Sequence, residues 1–341
     1  MALNEIASCH NSDRPNDIGT PKKNRIRRRF VGWFLKYHPR LVMFTFGAIL
    51  VLFVFSVYVS FTAFTGATLS SPGEPFFYIF LYVVNIPVTF SLSEFLIAMF
   101  ILYAMFFSYM LYGSMKENDY ASFKSPIGYF ILVSSASLLI SLLIVEIEAV
   151  LGIPIGGSSL TTLLQQYPLQ SYASLIYAPF VEELGFRIIP LGLFSAILVS
   201  LKMRRESGKL NIVLFLKAIV MPGPTRSQLK IQTGKIDWLL ILATSALFGY
   251  AHIYFGAWDW GKFVETFVFG IIVAISFLKF GAYMDIPMHW FTNGLLGIIY
   301  IDATLTLAIG FLFVWLLFIG ILGLILIAKL LLKRTDKQQT S

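Results

Sequence analysis

Val181-Glu182-Glu183-Leu184-Gly185-Phe186-Arg187 sits inside an apolar run of the chain extending from about residue 171 to 201. That run is long enough to cross a hydrocarbon core of about 30 Å as a helix. Ionisable groups at such depth cost roughly 2.5–3.5 kcal/mol each on insertion scales, so a span that keeps three of them faces protein or a wet cavity rather than lipid. At about 100° per residue, Glu183 and Arg187 share one helix face and can pair, whereas Glu182 is turned about 140° from Arg187. One carboxylate is thus a candidate ion-pair member, and the other has no partner on its own helix.

The rest of the chain has the same membrane character. Hydrophobic residues make up 57% of 341 and charged residues 13%, which excludes an ordinary soluble domain. Apolar runs predict an all-α integral membrane protein with about eight transmembrane helices, at 41–63, 93–114, 127–148, 171–201, 237–256, 263–281, 284–301 and 304–330. Residues 76–90 are apolar but short and interrupted by Pro87, and read as interfacial or re-entrant. A polar, basic tail over 1–40 precedes the membrane domain, 41–333, and a short tail, 334–341, follows it. The tail has no apolar core ahead of a small-residue cleavage site, so the first span reads as a retained signal anchor.

The net charge of +8 comes from bases placed beside apolar runs, which points to topology and anionic lipid, not to nucleic acid. Bases crowd the N-terminal flank, recur at Lys116 and Lys124, between Lys202 and Lys235, at Lys279, and at the C-terminal end. The connections 64–92 and 149–170 have none. Under the positive-inside rule this alternation puts both termini in the cytoplasm. The loop 202–235 carries Glu206 as its lone acid and an apolar stretch, NIVLFLKAIV. It reads either as an amphipathic helix on anionic lipid or as a connection whose charge only fixes orientation. The lone cysteine, Cys9, allows no intrachain disulfide and no thiolate zinc site.

Two histidines fall within spans. His252 follows Phe248 by four residues, so a ring and an imidazole share a face; His289 precedes Asn293 by four, so an imidazole and a carboxamide project together. A lone histidine in a span often serves only as an interhelical hydrogen-bonding group. A carboxylate, an imidazole and a pair of oxyanion donors on three helices are, however, the parts needed to attack a carbonyl with water. No GxSxG, HExxH or Gly-rich phosphate loop offers an alternative chemistry. Glu148, Glu265 and Asp285 lie close to span ends and read as groups reaching headgroups or water, and Pro179 and Pro190 predict a kinked fourth span.

Glu-Glu-x-x-x-Arg at 182–187, Phe-x-x-x-His at 248–252 and His-x-x-x-Asn at 289–293 resemble, in order, the motifs of the CAAX protease and bacteriocin-processing family, which comprises the Rce1-type intramembrane endopeptidases. The resemblance covers about residues 170–300 and implies an eight-helix glutamate protease acting on a membrane-associated or prenylated (CAAX-type) protein or peptide. It further implies that Glu182 with His252 activates water, that His289 and Asn293 form the oxyanion hole, and that Glu183, Arg187 and Phe248 support the site. No cofactor is expected. A zinc enzyme using Glu182, His252 and His289 is the alternative chemistry. A non-catalytic immunity or scaffold protein of the same fold, or a proton-relaying transporter, are the alternative classes.

Overall fold

The computed structural model describes residues 22–74, 76–117, 124–156, 166–256, 258–298, 301 and 303–339. Cys9 and most of the N-terminal tail lie outside them. The chain divides into two units, Met1–Leu41 and Val42–Ser341. In the first, the described backbone is helical from Lys22.

The second unit is built of helices. Among the described residues, six are long and apolar enough to cross a membrane: Pro39–Thr62, Leu92–Glu117, Pro126–Val150, Pro168–Ser207, Lys235–Tyr254 and Gly310–Ala328. Two more expected spans also form helices, Lys262–Lys279 and Ala282–Gly297, but the first carries Lys262, Glu265 and Lys279 and the second has only 16 residues. The second has most of its residues buried in protein, so its polar groups face neighbouring helices instead of lipid. An all-α membrane fold is therefore present, and the count of eight rests on these two short or charged helices.

Residues 76–90 do not form a helix. Phe76–Ile79 pairs antiparallel with Tyr82–Asn85, with Phe76 opposite Asn85 and Ile79 opposite Tyr82, and a second short pairing joins Pro72–Gly73 to Phe90–Ser91. The hairpin tip packs on Phe186 and Phe248 through Tyr78, Phe80 and Leu81. Its approach depends on Gly185, because a Cβ there would collide with the backbone carbonyl of Tyr78.

The long fourth span is interrupted as its prolines predict. Ordinary helix over Pro168–Glu183 gives way to a wider π-helical stretch over Leu184–Gly192, which contains Pro190, and then resumes over Leu193–Ser207. Proline removes a backbone donor and crowds the preceding turn, and such local widening frequently accompanies functional sites.

Helix association in lipid lacks a hydrophobic driving force and depends on close packing. Trp290 supplies one centre: it is fully buried, with the rings of Phe53 and Phe107 set edgewise at 5.8 and 5.6 Å and that of Tyr103 tilted at 5.7 Å. Each such pair is worth about 0.5–1.5 kcal/mol beyond its buried area. Small residues allow the other close contacts. A Cβ on Gly323 would lie 2.6 Å from the carbonyl oxygen of Leu132, and one on Gly297 would lie 3.0 Å from Leu175 Cδ1. The second contact sets helix Ala282–Gly297 against Pro168–Glu183, the two helices that carry His289 and the glutamate pair.

Three acids are less exposed than expected. Glu148, Glu265 and Asp285 are 5%, 4% and 0% exposed. Glu265 is buried because Lys262, one turn away, neutralises it at 2.7 Å. Asp285 caps the backbone N–H of Ile286 at 2.8 Å and stands one turn before His289, deep among the helices.

Candidate active site

Glu183 and Arg187 form the expected i,i+4 pair, with Nη1 3.2 Å from Oε1 and both side chains wholly buried. The same Oε1 lies 2.7 Å from Nδ1 of His289. A carboxylate at that distance requires Nδ1 to carry the proton and donate it, so Nε2 is the nitrogen turned toward the cavity. Nε2 lies 3.6 Å from Oε2 of Glu182, the second carboxylate of the motif. Adjacent glutamates on one helix thus flank opposite edges of one imidazole, Glu183 bonded to it and Glu182 facing it.

Phe248 is the wall between these groups. Its ring meets His252 edgewise at 4.7 Å and His289 at 5.7 Å, while the guanidinium of Arg187 lies 4.2 Å from its centroid. A desolvated cation over an aromatic face contributes about 2 kcal/mol. Close approach is again a matter of size: Gly270 leaves room for Arg187, since a Cβ there would come within 3.0 Å of Nη2. Phe269 closes the other side of His289 at 5.2 Å.

His252 Nδ1 is 2.9 Å from the carbonyl oxygen of Phe248. A carbonyl cannot donate, so Nδ1 holds the proton and Nε2 presents a lone pair. Asn293 donates one amide N–H to the carbonyl of Leu175 at 3.1 Å, which fixes the carboxamide and leaves its second N–H for another acceptor.

Glu182, His252, His289 and Asn293 all line one cavity of about 190 Å³. Sequence reasoning named these four together with Phe248, which lines it too; Glu183 and Arg187 stand behind the wall. It missed Tyr78, Phe255, Trp258 and Lys262. Tyr78 arrives on the hairpin, outside all three motifs, and packs 5.1 Å from Phe255. Burial, and after it the nearby Glu182 carboxylate, holds the Tyr78 phenol above its ordinary pKa. Lys262 caps the cavity near Trp258, its ammonium 4.5 Å from the ring centroid. The run FFYIFLYVVN, rich in aromatic and β-branched residues, was the available signal for a hairpin.

Among the described residues no group of three or more His, Cys, Asp or Glu side chains is arranged to hold a metal ion. The Nδ1 atoms of both histidines are engaged, by Phe248 and Glu183, which leaves Nε2 as the nitrogen each can offer.

No curated protein and no solved structure matches the chain. Residues 164–295, which contain all three motifs and every cavity residue except Tyr78, match a family model described as type II CAAX prenyl endopeptidase Rce1-like.

Proposed function

We propose that this protein is an intramembrane endopeptidase that hydrolyses a peptide bond in a membrane-associated or prenylated protein. The observation that carries the reading is the convergence of Glu182, His252, His289 and Asn293 on one cavity within the Rce1-like segment. Glu182 takes a proton from water, with the Nε2 lone pair of His252 helping to hold and orient that water. The hydroxide so formed adds to the scissile carbonyl. His289 Nε2, in its protonated form, and the second N–H of Asn293 donate to the developing oxyanion. Glu183 fixes the orientation of His289, and Arg187 and Phe248 hold Glu183 and both rings in place. The proton on Glu182 then passes to the leaving amine, and no cofactor enters the cycle. The alternation of basic connections supports a cytoplasmic position for both termini.

Cleavage of a panel of prenylated peptides by the purified protein, wild type beside Glu182→Ala, tests this. Hydrolysis by the wild type alone is the expected result. Equal behaviour of the two proteins on every peptide overturns the role of Glu182.

A further inference from the structure

The segment between the resumed fourth span and helix Lys235–Tyr254 takes no part in the chemistry above, yet with Leu278 and Lys279 it borders a second, open cavity, of about 450 Å³. Its wall includes Ser227, Lys230, Gln232, Thr233 and Lys279. We propose that this cavity binds the phosphate-bearing headgroup of an anionic phospholipid whose acyl chains lie along the outer face of helix Ile212–Val220.

Depth is the first argument. The cavity lies where the chain enters one transmembrane helix at Lys235 and leaves its packed neighbour at Lys279. Ile236, Trp238 and Leu239, the first apolar residues of the entering helix, are exposed at 58%, 51% and 66%. Exposed apolar side chains headed by a tryptophan mark the boundary between hydrocarbon and headgroups.

Helix Ile212–Val220 supplies the apolar component. Ala218 is buried and packs with Ala196 and Val199 of the fourth span. Ile212, Val213, Leu216 and Val220 are instead exposed, and at about 100° per residue they share one stripe about 100° wide. Such a stripe is matched by acyl chains and not by water.

Charge selects the headgroup. Residues 202–235 carry Lys202, Arg204, Arg205, Lys209, Lys217, Arg226, Lys230 and Lys235 against Glu206, which pairs with Lys202 at 2.7 Å. Arg226 is committed to Asp237 by bonds of 2.6 and 2.9 Å and to the carbonyl of Gln232, so it frames the cavity wall. Lys230 is exposed and holds a left-handed backbone, φ 54°, where glycine or asparagine is the usual residue. Strain kept at a non-glycine residue is a pointer to function. With the hydroxyls of Ser227 and Thr233, Lys230 offers donors suited to phosphate oxygens, and the ammonium of Lys279, 4.1 Å from the centroid of the Tyr129 ring, adds positive charge at the wall.

The test uses the full chain, purified in neutral detergent and titrated separately with phosphatidylglycerol, phosphatidylcholine and inorganic phosphate, with bound molecules counted by native mass spectrometry. Phosphatidylglycerol should bind more tightly than either alternative. Lys230→Gln/Lys279→Gln should weaken it roughly 30-fold, the effect of removing two interfacial cations. Lys116→Gln, exposed on a different connection, should leave it nearly unchanged. If the first double variant does not fold, the exposed Lys230→Gln alone should weaken binding roughly 5-fold. Equal binding of the two lipids overturns the proposal, as does inorganic phosphate binding as tightly as phosphatidylglycerol, or affinity unaltered in the Lys230 variants.

Discussion

The carboxylate of Glu183 accepts the Nδ1–H of His289 at 2.7 Å, and so a residue next to the proposed base sets the orientation of the proposed oxyanion donor. The bond links two helices across 106 positions of sequence. Its effect is on direction: with Nδ1 committed, only Nε2 faces Glu182 and the cavity. Glu183→Gln keeps the shape, but it replaces the anion on Nδ1 with a neutral amide and so disfavours the ring form with protons on both nitrogens, the form that donates from Nε2. Turnover should fall at least about 100-fold, as expected when a catalytic imidazole loses its carboxylate partner. KM should change little. A loss confined to KM in peptide-cleavage kinetics would contradict the assignment.

Glu183 also neutralises Arg187 in a wholly buried pair. Breaking such a pair from one side costs about 3–5 kcal/mol, because the remaining charge stays buried. Arg187→Met should therefore lower the unfolding midpoint in detergent markedly. The expected loss is larger than from Phe248→Leu, which removes the ring beneath the guanidinium, worth about 2 kcal/mol, while retaining apolar volume. Thermal unfolding followed by tryptophan fluorescence gives the comparison directly.

Asn293 has two tasks that one substitution separates. Asn293→Ala should lower kcat by about 100- to 1,000-fold, the usual effect of removing an oxyanion donor. It should cost only about 1 kcal/mol of stability through the lost bond to Leu175. A variant as unstable as Arg187→Met, or one with full kcat, would remove Asn293 from the oxyanion site.

Gly185 tests the hairpin. Any Cβ at this position meets the backbone carbonyl of Tyr78, and backbone cannot yield as a flexible side chain can. Gly185→Ala should push the hairpin off the π-helical stretch, at a cost of about 1–3 kcal/mol typical of overpacking. Because Tyr78 forms part of the cavity wall, kcat/KM should fall as well. Unchanged stability and activity would mean that the hairpin does not rest on Gly185 in the membrane.

The division of Glu182 from Glu183 was legible in the sequence because helix periodicity alone sets which glutamate meets Arg187. The three motifs were legible for a related reason: Glu183 and Arg187, Phe248 and His252, and His289 and Asn293 are each four residues apart, so each pair shares one face. Distances between helices do not follow from that periodicity. Nothing in the local pattern placed His289 between the two carboxylates, a contact that depends on Gly294 and Gly297 letting two helices approach. The hairpin was missed because aromatic and β-branched runs fit either a strand or a lipid-facing segment. Glu265 and Asp285 were misplaced because proximity to a span end was taken to mean exposure, whereas Lys262 and the helix packing allow burial.

The Arg226–Asp237 pair separates stability from chemistry. Both side chains are nearly sequestered, at 5% and 2% exposure, and Asp237 also accepts the N–H of Gly234 at 2.7 Å, closing the start of helix Lys235–Tyr254. That helix carries Phe248 and His252 three to four turns further along. Asp237→Ala strands a buried guanidinium and removes the cap, so it should cost about 3–5 kcal/mol. The joint replacement Arg226→Met/Asp237→Leu leaves no buried charge and should recover most of that loss. Neither variant touches the cavity of Glu182, so kcat measured well below the unfolding midpoint should stay within about two- to threefold of wild type, consistent with the weak coupling of distant sites. A large fall in kcat for the recovered double variant would show that the loop before this helix acts on the catalytic groups and does more than hold the helix start.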